Sequence, residues 1–320
     1  MPLSLDPEFF KVLEPLLPVM ATAPKLAPGD VAGRRQAMDV FFGPVFRAVP
    51  DSVDVGEEVF KVKSSDGFEV PIFRFTKNDT PATGANPVIY YIHGGGYIGL
   101  DVPLYRNKIK EIVSRSGVQV FSPDYRVSPE APYPLPIDDV WAGLQDLSQN
   151  AKKYGIDPAR IIVMGDSGGG GLAAGLVLKA RDDGLTPPVA KQVLIYPMLD
   201  DTNTKPIKAL EPFATWTIDD NITGWGAYLS GKACESSIPY YAAPARVPSV
   251  EGLPPTYIDV GDLDIFRDED LEYARRIAAA NIHVELHVYP GIPHGFEMLA
   301  PAISTTALAM ANRIKAIKSV

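Results

Sequence analysis

Arg160-Ile161-Ile162-Val163-Met164-Gly165-Asp166-Ser167-Gly168-Gly169 is the stretch on which the fold of this 320-residue chain turns. A short continuous apolar run suits a strand buried on both faces, and such strands belong to parallel sheets closed by helical crossovers. The run stops at a glycine-flanked serine, and a helical pattern follows over Gly170–Lys179. A serine at an abrupt strand-to-helix turn holds its hydroxyl out as a nucleophile. The glycines are needed because the turn is tight and Cβ atoms at its flanks would strike neighbouring strands. By itself the pattern has little specificity: in a chain with 27 glycines, Gly-x-Ser-x-Gly arises by chance in roughly one case in ten.

Outward from this run, strand-like and helix-like segments alternate from about residue 55 onward. The β-branched or aromatic runs are Phe68–Phe75, Val88–Ile92, Val118–Phe121, Ile161–Met164, Val193–Tyr196, Thr256–Val260 and His283–Tyr289. Helical patterns lie between or after them at Tyr105–Ser114, Asp138–Tyr154, Gly170–Lys179, Glu269–Ala280 and Ile303–Ile317. This alternation predicts an α/β fold with an open, mostly parallel sheet flanked by helices on both sides. Residues 1–50 and 200–232 break the alternation; they are aromatic-rich excursions, with Phe9, Phe10, Phe41, Phe42 and Phe46 in one and Trp216, Trp225 and Tyr228 in the other. They are candidates for a cap over a ligand site, on a single catalytic core of residues 51–199 and 233–320. The bland alternative is peripheral helix packing. Thr80–Pro87 reads as a surface loop, and no internal repeat or low-complexity tract is present.

Composition narrows the possible partners. At 46% hydrophobic and 22% charged residues, the chain can bury a large core. A net charge of −9 argues against nucleic acid and anionic membranes. A single cysteine, Cys234, rules out an internal disulfide and points to a reducing compartment. The N-terminal apolar patches lack a basic flank and are interrupted by Glu8, Glu14 and prolines, unlike a signal peptide. No run approaches the ~18 apolar residues of a membrane span. A cytoplasmic protein is the expectation.

A nucleophilic serine needs a base, a group that orients the base, and donors for the oxyanion. The base must come from four histidines. His93 opens His93-Gly94-Gly95-Gly96 directly after the Val88–Ile92 strand, where the oxyanion loop of esterases and lipases falls. Consecutive glycines leave backbone N–H groups unobstructed. Gly94, Gly95 and Gly168 are therefore the candidate donors, with His93 and Gly96 shaping the loop. His283 and His287 sit four apart, superficially like a zinc pair, but Val284, Leu286 and Val288 alternate with them at the period of a strand, so no metal is expected. His294, in Gly291-Ile292-Pro293-His294-Gly295-Phe296 just past the last strand, remains as the base. The orienting acid should fall between serine and histidine. In Asp262-Leu263-Asp264-Ile265-Phe266-Arg267-Asp268-Glu269-Asp270, residues 268–270 fall at a helix start, where they would cap it and complement its dipole, leaving Asp262 or Asp264, with spacing favouring Asp264.

His93-Gly94-Gly95-Gly96, the Gly165-Asp166-Ser167 elbow and Asp124-Tyr125-Arg126-Val127-Ser128-Pro129-Glu130 together resemble the hormone-sensitive-lipase-like carboxylesterases of the α/β-hydrolase superfamily, from about Val88 to Phe296. The resemblance implies an α/β-hydrolase fold with an eight-stranded, mostly parallel sheet and a helical cap built from the two excursions. It implies a Ser-His-Asp triad acting on small to medium hydrophobic esters, with no cofactor. The family motif Asp-Pro-Leu-x-Asp-Glu carries the acid as its first residue and so selects Asp264. The chain departs from the pattern at Gly168, where the family commonly has Ala, and at Ile265 and Phe266, where it has Pro and Leu.

Three other readings compete. Gly168-Gly169-Gly170-Gly171-Leu172-Ala173 matches a dinucleotide loop, but no acidic residue follows about 20 residues on at the end of a second strand. A non-catalytic small-molecule receptor on the same fold would be expected to lose the base, yet His294 is present. Acyl transfer, or cleavage of an amide or lactone, would use the same residues. The His283–Tyr289 strand, expected at the sheet edge, offers a surface for a homodimer.

Overall fold

The structure is a computed structural model that describes residues 3–22, 25–80 and 85–320. Its strands are β1 (Val55–Lys63), β2 (Glu69–Lys77), β3 (Asn86–Ile92), β4 (Gln119–Pro123), β5 (Ile156–Asp166), β6 (Lys191–Ile195), β7 (Thr256–Gly261) and β8 (Val284–Tyr289). They form one eight-stranded sheet in the order β1-β2-β4-β3-β5-β6-β7-β8. Only β1–β2 and β2–β4 are antiparallel; every pairing from β4 to β8 is parallel. The α/β-hydrolase fold expected from the sequence is the fold observed.

The helices are α1 (Pro7–Leu13), α2 (Leu17–Thr22), α3 (Val31–Ala48), α4 (Val102–Ser116), α5 (Leu135–Gln149), α6 (Ala151–Tyr154), α7 (Gly168–Asp182), α8 (Ile218–Tyr228), α9 (Arg267–Ala279), α10 (Phe296–Leu299) and α11 (Ser304–Lys318). Strand periodicity sends alternate residues to opposite faces. Val88, Tyr90 and Ile92 of β3 pack with α5, α7 and α9, whereas Ile89 and Tyr91 pack with α4 and α11. Ile162 and Val163 of β5 are both fully buried, one in each layer. A strand covered on both faces has no polar side to show, which is why β5 reads as an unbroken apolar run.

Three expectations need revision. The edge strand β1 is absent from the sequence reading because Glu57, Glu58, Lys61 and Lys63 dominate it and Val59 is 52% exposed. Charge on an edge blunts pairing with other chains and also hides the strand pattern. The helix expected over Asp138–Tyr154 is two helices, α5 and α6, separated at Asn150. Of the loop at Thr80–Pro87, residues 81–84 lie outside the described residues, and Asn86 already begins β3.

The acidic run lies in the first turn of α9, at the helix start as expected, but it does not cap the helix. The capping position is Phe266, without a side-chain cap bond. Asp268 pairs with Arg267; Glu269 turns inward and accepts from the amides of Leu199 and Asp200. Asp270 is fully buried, and neither of its carboxylate oxygens meets a partner among the described residues. Burial, helped by the charges of Glu269, Asp264 and Asp259, pushes the Asp270 carboxyl well above its usual range.

The described residues of 3–50 lie together with residues 200–232. The amide of Gly29 donates to Thr223 Oγ1 at 2.8 Å, and Arg34 pairs with Asp220 at 2.7 Å. The second segment reaches over the carboxyl ends of the central strands, where a Cβ on Gly96 would lie 2.4 Å from the Trp216 ring. No helix among the described residues is long and apolar enough to cross a membrane.

Two stability measurements test this account. Ile162→Ala should lower the free energy of unfolding by ~2–5 kcal/mol in a urea titration, while Val59→Ala stays within about 0.5 kcal/mol of the parent. Burial raises the Asp270 carboxyl in the fold above its value in the unfolded chain, where it ionises above about pH 4, so its contribution to stability is full at acid pH and fades as pH rises. Asp270→Asn removes that dependence; its stability relative to wild type should improve steadily from pH 5 to pH 8, and a pH-independent difference would contradict the burial argument.

Candidate active site

β5 ends at Asp166 and α7 begins at Gly168, leaving Ser167 alone at the turn with φ +54° and ψ −125°. A non-glycine residue in this region is strained by roughly 1–3 kcal/mol and persists only when its surroundings fix it. Here the Ser167 amide donates to Ile195 O at 2.9 Å, and its carbonyl accepts from Gly171 and Met198, both at 3.0 Å. The turn also requires α7 to start against the end of β3. A Cβ on Gly169 would lie 2.2 Å from His93 O and 2.3 Å from Ile92 O, so only glycine permits the approach.

The loop after β7 carries Asp264, and the loop after β8 carries His294. The structure brings both to Ser167: His294 Nε2 lies 2.9 Å from Ser167 Oγ, and His294 Nδ1 lies 2.6 Å from Asp264 Oδ2. An ionised carboxylate only accepts, so Nδ1 carries the imidazole hydrogen and Nε2 is left to accept from the serine. Asp264 is 1% exposed, and its second oxygen accepts from the Phe266 amide at 2.9 Å. Asp262 has a different task. Its Oδ1 accepts from the Gly291 amide at 2.6 Å, tying the acid loop to the base loop.

The glycine loop lies beside the serine. Gly95 has φ +121°, and a Cβ there would meet Gly99 O at 2.1 Å. Among the described residues, nothing accepts a hydrogen bond from the amides of Gly94, Gly95 or Gly168. His93 is fully buried, stacks on Tyr125 with centroids 4.4 Å apart, and places Nδ1 2.8 Å from Gly94 O. Burial lowers its pKa, so the ring stays neutral and acts as a brace. Gly170 and Gly171 are buried in the first turn of α7, where a Cβ on Gly171 would meet Met198 O at 2.2 Å; no room remains there for a pyrophosphate. His283 precedes β8, and His287 pairs with Glu285 on that strand at 3.0 Å.

The sequence reading gave no role beside the imidazole to Tyr196, Phe266 or Thr215, and placed Trp216 only within the aromatic excursion of residues 200–232. Tyr196 and Phe266 present T-shaped contacts to the His294 ring at 4.6 and 5.0 Å. Thr215 Oγ1 donates to His294 O at 2.6 Å, and Trp216 lies on Gly96 of the glycine loop. No local pattern marks them, because their place beside the histidine arises from packing between distant segments.

The family model for the α/β-hydrolase fold matches residues 89–298. The chain belongs to the α/β-hydrolase family, in its hormone-sensitive-lipase-like carboxylesterase branch. It is similar to the carboxylesterase NlhH of Mycobacterium tuberculosis, 36% identical over 241 residues that cover 72% of this chain and 73% of the relative. It is also similar to esterase LipI of the same organism, 32% identical over 75% of each chain. Among solved structures, a bacterial heroin esterase superposes with a TM-score of 0.86 at 34% identity, covering 99% of this chain and 98% of that one. Esterase LipW from Mycobacterium marinum superposes with a TM-score of 0.81 at 30% identity, covering 99% and 98%. The protein is a carboxylic ester hydrolase.

The space at Gly168 yields a specific expectation. A Cβ there would lie 2.9 Å from Tyr97 N and 3.1 Å from Gly96 Cα, so a methyl presses on the glycine loop. Gly168→Ala should therefore lower kcat for a p-nitrophenyl ester by about tenfold, with the loop displaced from the serine. Unchanged kcat would mean that the loop yields without consequence.

Proposed function

We propose that Ser167, His294 and Asp264 form the triad of a serine carboxylesterase. Their hydrogen-bonded row, 2.9 Å from Ser167 to His294 and 2.6 Å from His294 to Asp264, is the observation that carries the reading. His294 Nε2 takes the Ser167 proton as Oγ attacks the ester carbonyl, and Asp264 holds the tautomer and stabilises the imidazolium. The amides of Gly94, Gly95 and Gly168 receive the oxyanion; each such donor is worth ~3–4 kcal/mol in the transition state. His294 then returns the proton to the leaving alcohol. A water deprotonated by the same imidazole attacks the acyl-serine and releases the acid.

Residues 1–50 and 200–232 serve as the cap over a core of residues 51–199 and 233–320. Trp216 on the glycine loop and Thr215 on the base loop bring the cap to the edge of the reacting atoms, which favours small to medium hydrophobic esters over long-chain ones. The exposed free thiol of Cys234 fits a cytoplasmic location, and the open edge at β8 is where a homodimer would pair.

Ser167→Ala should abolish labelling by a fluorophosphonate probe and reduce kcat by on the order of 10⁴–10⁶. Near wild-type esterase activity in that variant would sink the scheme. A p-nitrophenyl ester series should peak at short acyl groups; rising kcat/KM out to long chains would refute the small pocket. Addition of an alcohol acceptor should leave free acid as the main product, since transfer to the alcohol would point instead to an acyltransferase.

A further inference from the structure

Behind the serine and the imidazole lies a buried group of charges that the scheme above leaves unused. Lys108 on α4 is 5% exposed, and its Nζ lies 3.3 Å from Glu297 Oε1 and 3.8 Å from Asp166 Oδ2. Asp166 immediately precedes Ser167. Its oxygens accept from Tyr91 at 2.6 Å and Tyr105 at 2.8 Å, and a Cβ on Gly94 would lie 2.8 Å from its Oδ2. Glu297 follows His294 by three positions. Its Oε1 also accepts from Tyr196 at 2.6 Å and from Arg313 at 2.9 Å, and the Tyr196 ring is the one set edge-on to His294. Arg313 in turn grips Asp259 of β7 through two hydrogen bonds, of 2.7 and 2.9 Å.

As a device for stability alone this arrangement makes poor sense, because buried ion pairs scarcely repay their desolvation and apolar packing does as well. Its value lies in geometry. Asp166 closes β5 at the elbow and Glu297 lies in α10, directly after the base loop that follows β8, and β6 and β7 separate β5 from β8 in the sheet. The Ser167–His294 contact depends on keeping these two loops in register to within a fraction of an ångström. Lys108 stands within ion-pair distance of one carboxylate on each.

We propose that Lys108 is a positioning residue whose ammonium clamps the nucleophile elbow to the base loop through Asp166 and Glu297. The proposal rests on the reading of Ser167 and His294 as nucleophile and base. Burial alone would raise the Glu297 carboxyl, but Arg313, Lys108 and the Tyr196 hydroxyl outweigh it and hold it well below the usual carboxylate range. Glu297 is thus ionised throughout the neutral range.

Lys108→Met, a substitution of similar length without charge, should lower kcat for a short p-nitrophenyl ester roughly 10- to 100-fold with KM little changed, since the defect is misplacement of reacting groups. Its pH profile should also change. With the ammonium gone, Glu297 keeps Arg313 and the Tyr196 hydroxyl, while Asp166 keeps the hydroxyls of Tyr91 and Tyr105. Glu297, having lost one of the two cations that hold it down, titrates higher, and kcat gains an acid-side dependence that wild type lacks. Glu297→Gln should lower kcat to a similar extent with KM little changed but without the added ionisation, and the double variant should be no worse than the poorer single one. A folded Lys108→Met with wild-type kcat and pH profile overturns the proposal, as does a change in KM alone or strict additivity. Should Lys108→Met fail to fold, Glu297→Gln decides: wild-type kcat there overturns it equally. Ser167→Ala, assayed alongside, separates the two levels. Residual wild-type activity in that variant removes the triad reading, whereas an inactive Ser167→Ala beside a normal Lys108→Met removes only the clamp.

Discussion

The start of α7 lies directly against the carbonyl end of β3, and the remaining geometry of the site depends on that contact. Gly169 stands over the carbonyls of Ile92 and His93 at distances that exclude any side chain. Because the helix can approach so closely, the turn from β5 can be made in one residue, and that residue is forced to positive φ with its hydroxyl projecting from the sheet. The same approach sets the amide of Gly168 beside the loop that begins at His93. One steric constraint thus positions both the serine and the glycine loop.

The other half of the site comes from loops that the sheet places next to the elbow. β7 and β8 are parallel to β5 and finish at the same edge, so the loops after them converge there. Hydrogen bonds then fix the loops to one another: Asp262 to the Gly291 amide, Asp264 to His294, Thr215 to the His294 carbonyl. Aromatic rings close around the imidazole, and the buried Lys108–Glu297–Arg313 group lies beneath. A polar network so enclosed is costly unless nearly every member is partnered, and it therefore resists alternative arrangements.

Much of this was legible in the chain itself. The core strands could be read because burial on both faces erases the polar alternation, as in Ile161–Met164. The serine, the glycine loop and His294 were legible because each occupies a tight turn that demands glycine or proline around it. β1 was hidden, since an edge strand rich in glutamate and lysine carries no burial pattern. The role of the Asp268–Asp270 run was misread because first-turn acids usually face solvent, and here the helix lies with Glu269 and Asp270 turned into the protein. The places of Tyr196 and Lys108 beside the site had no local mark at all.

Local sequence by itself determined the core strands, the strained elbow, the glycine loop after β3 and the order serine, aspartate, histidine along the chain, because each follows from backbone sterics or periodicity within a few residues. Tertiary structure alone decided that Asp262 ties two loops, what encloses the imidazole, and how a lysine from α4 comes to bridge the residue before the serine and a glutamate after the histidine. Those outcomes depend on distances between strands far apart in the chain, set by how a twisted parallel sheet brings its loops to one edge.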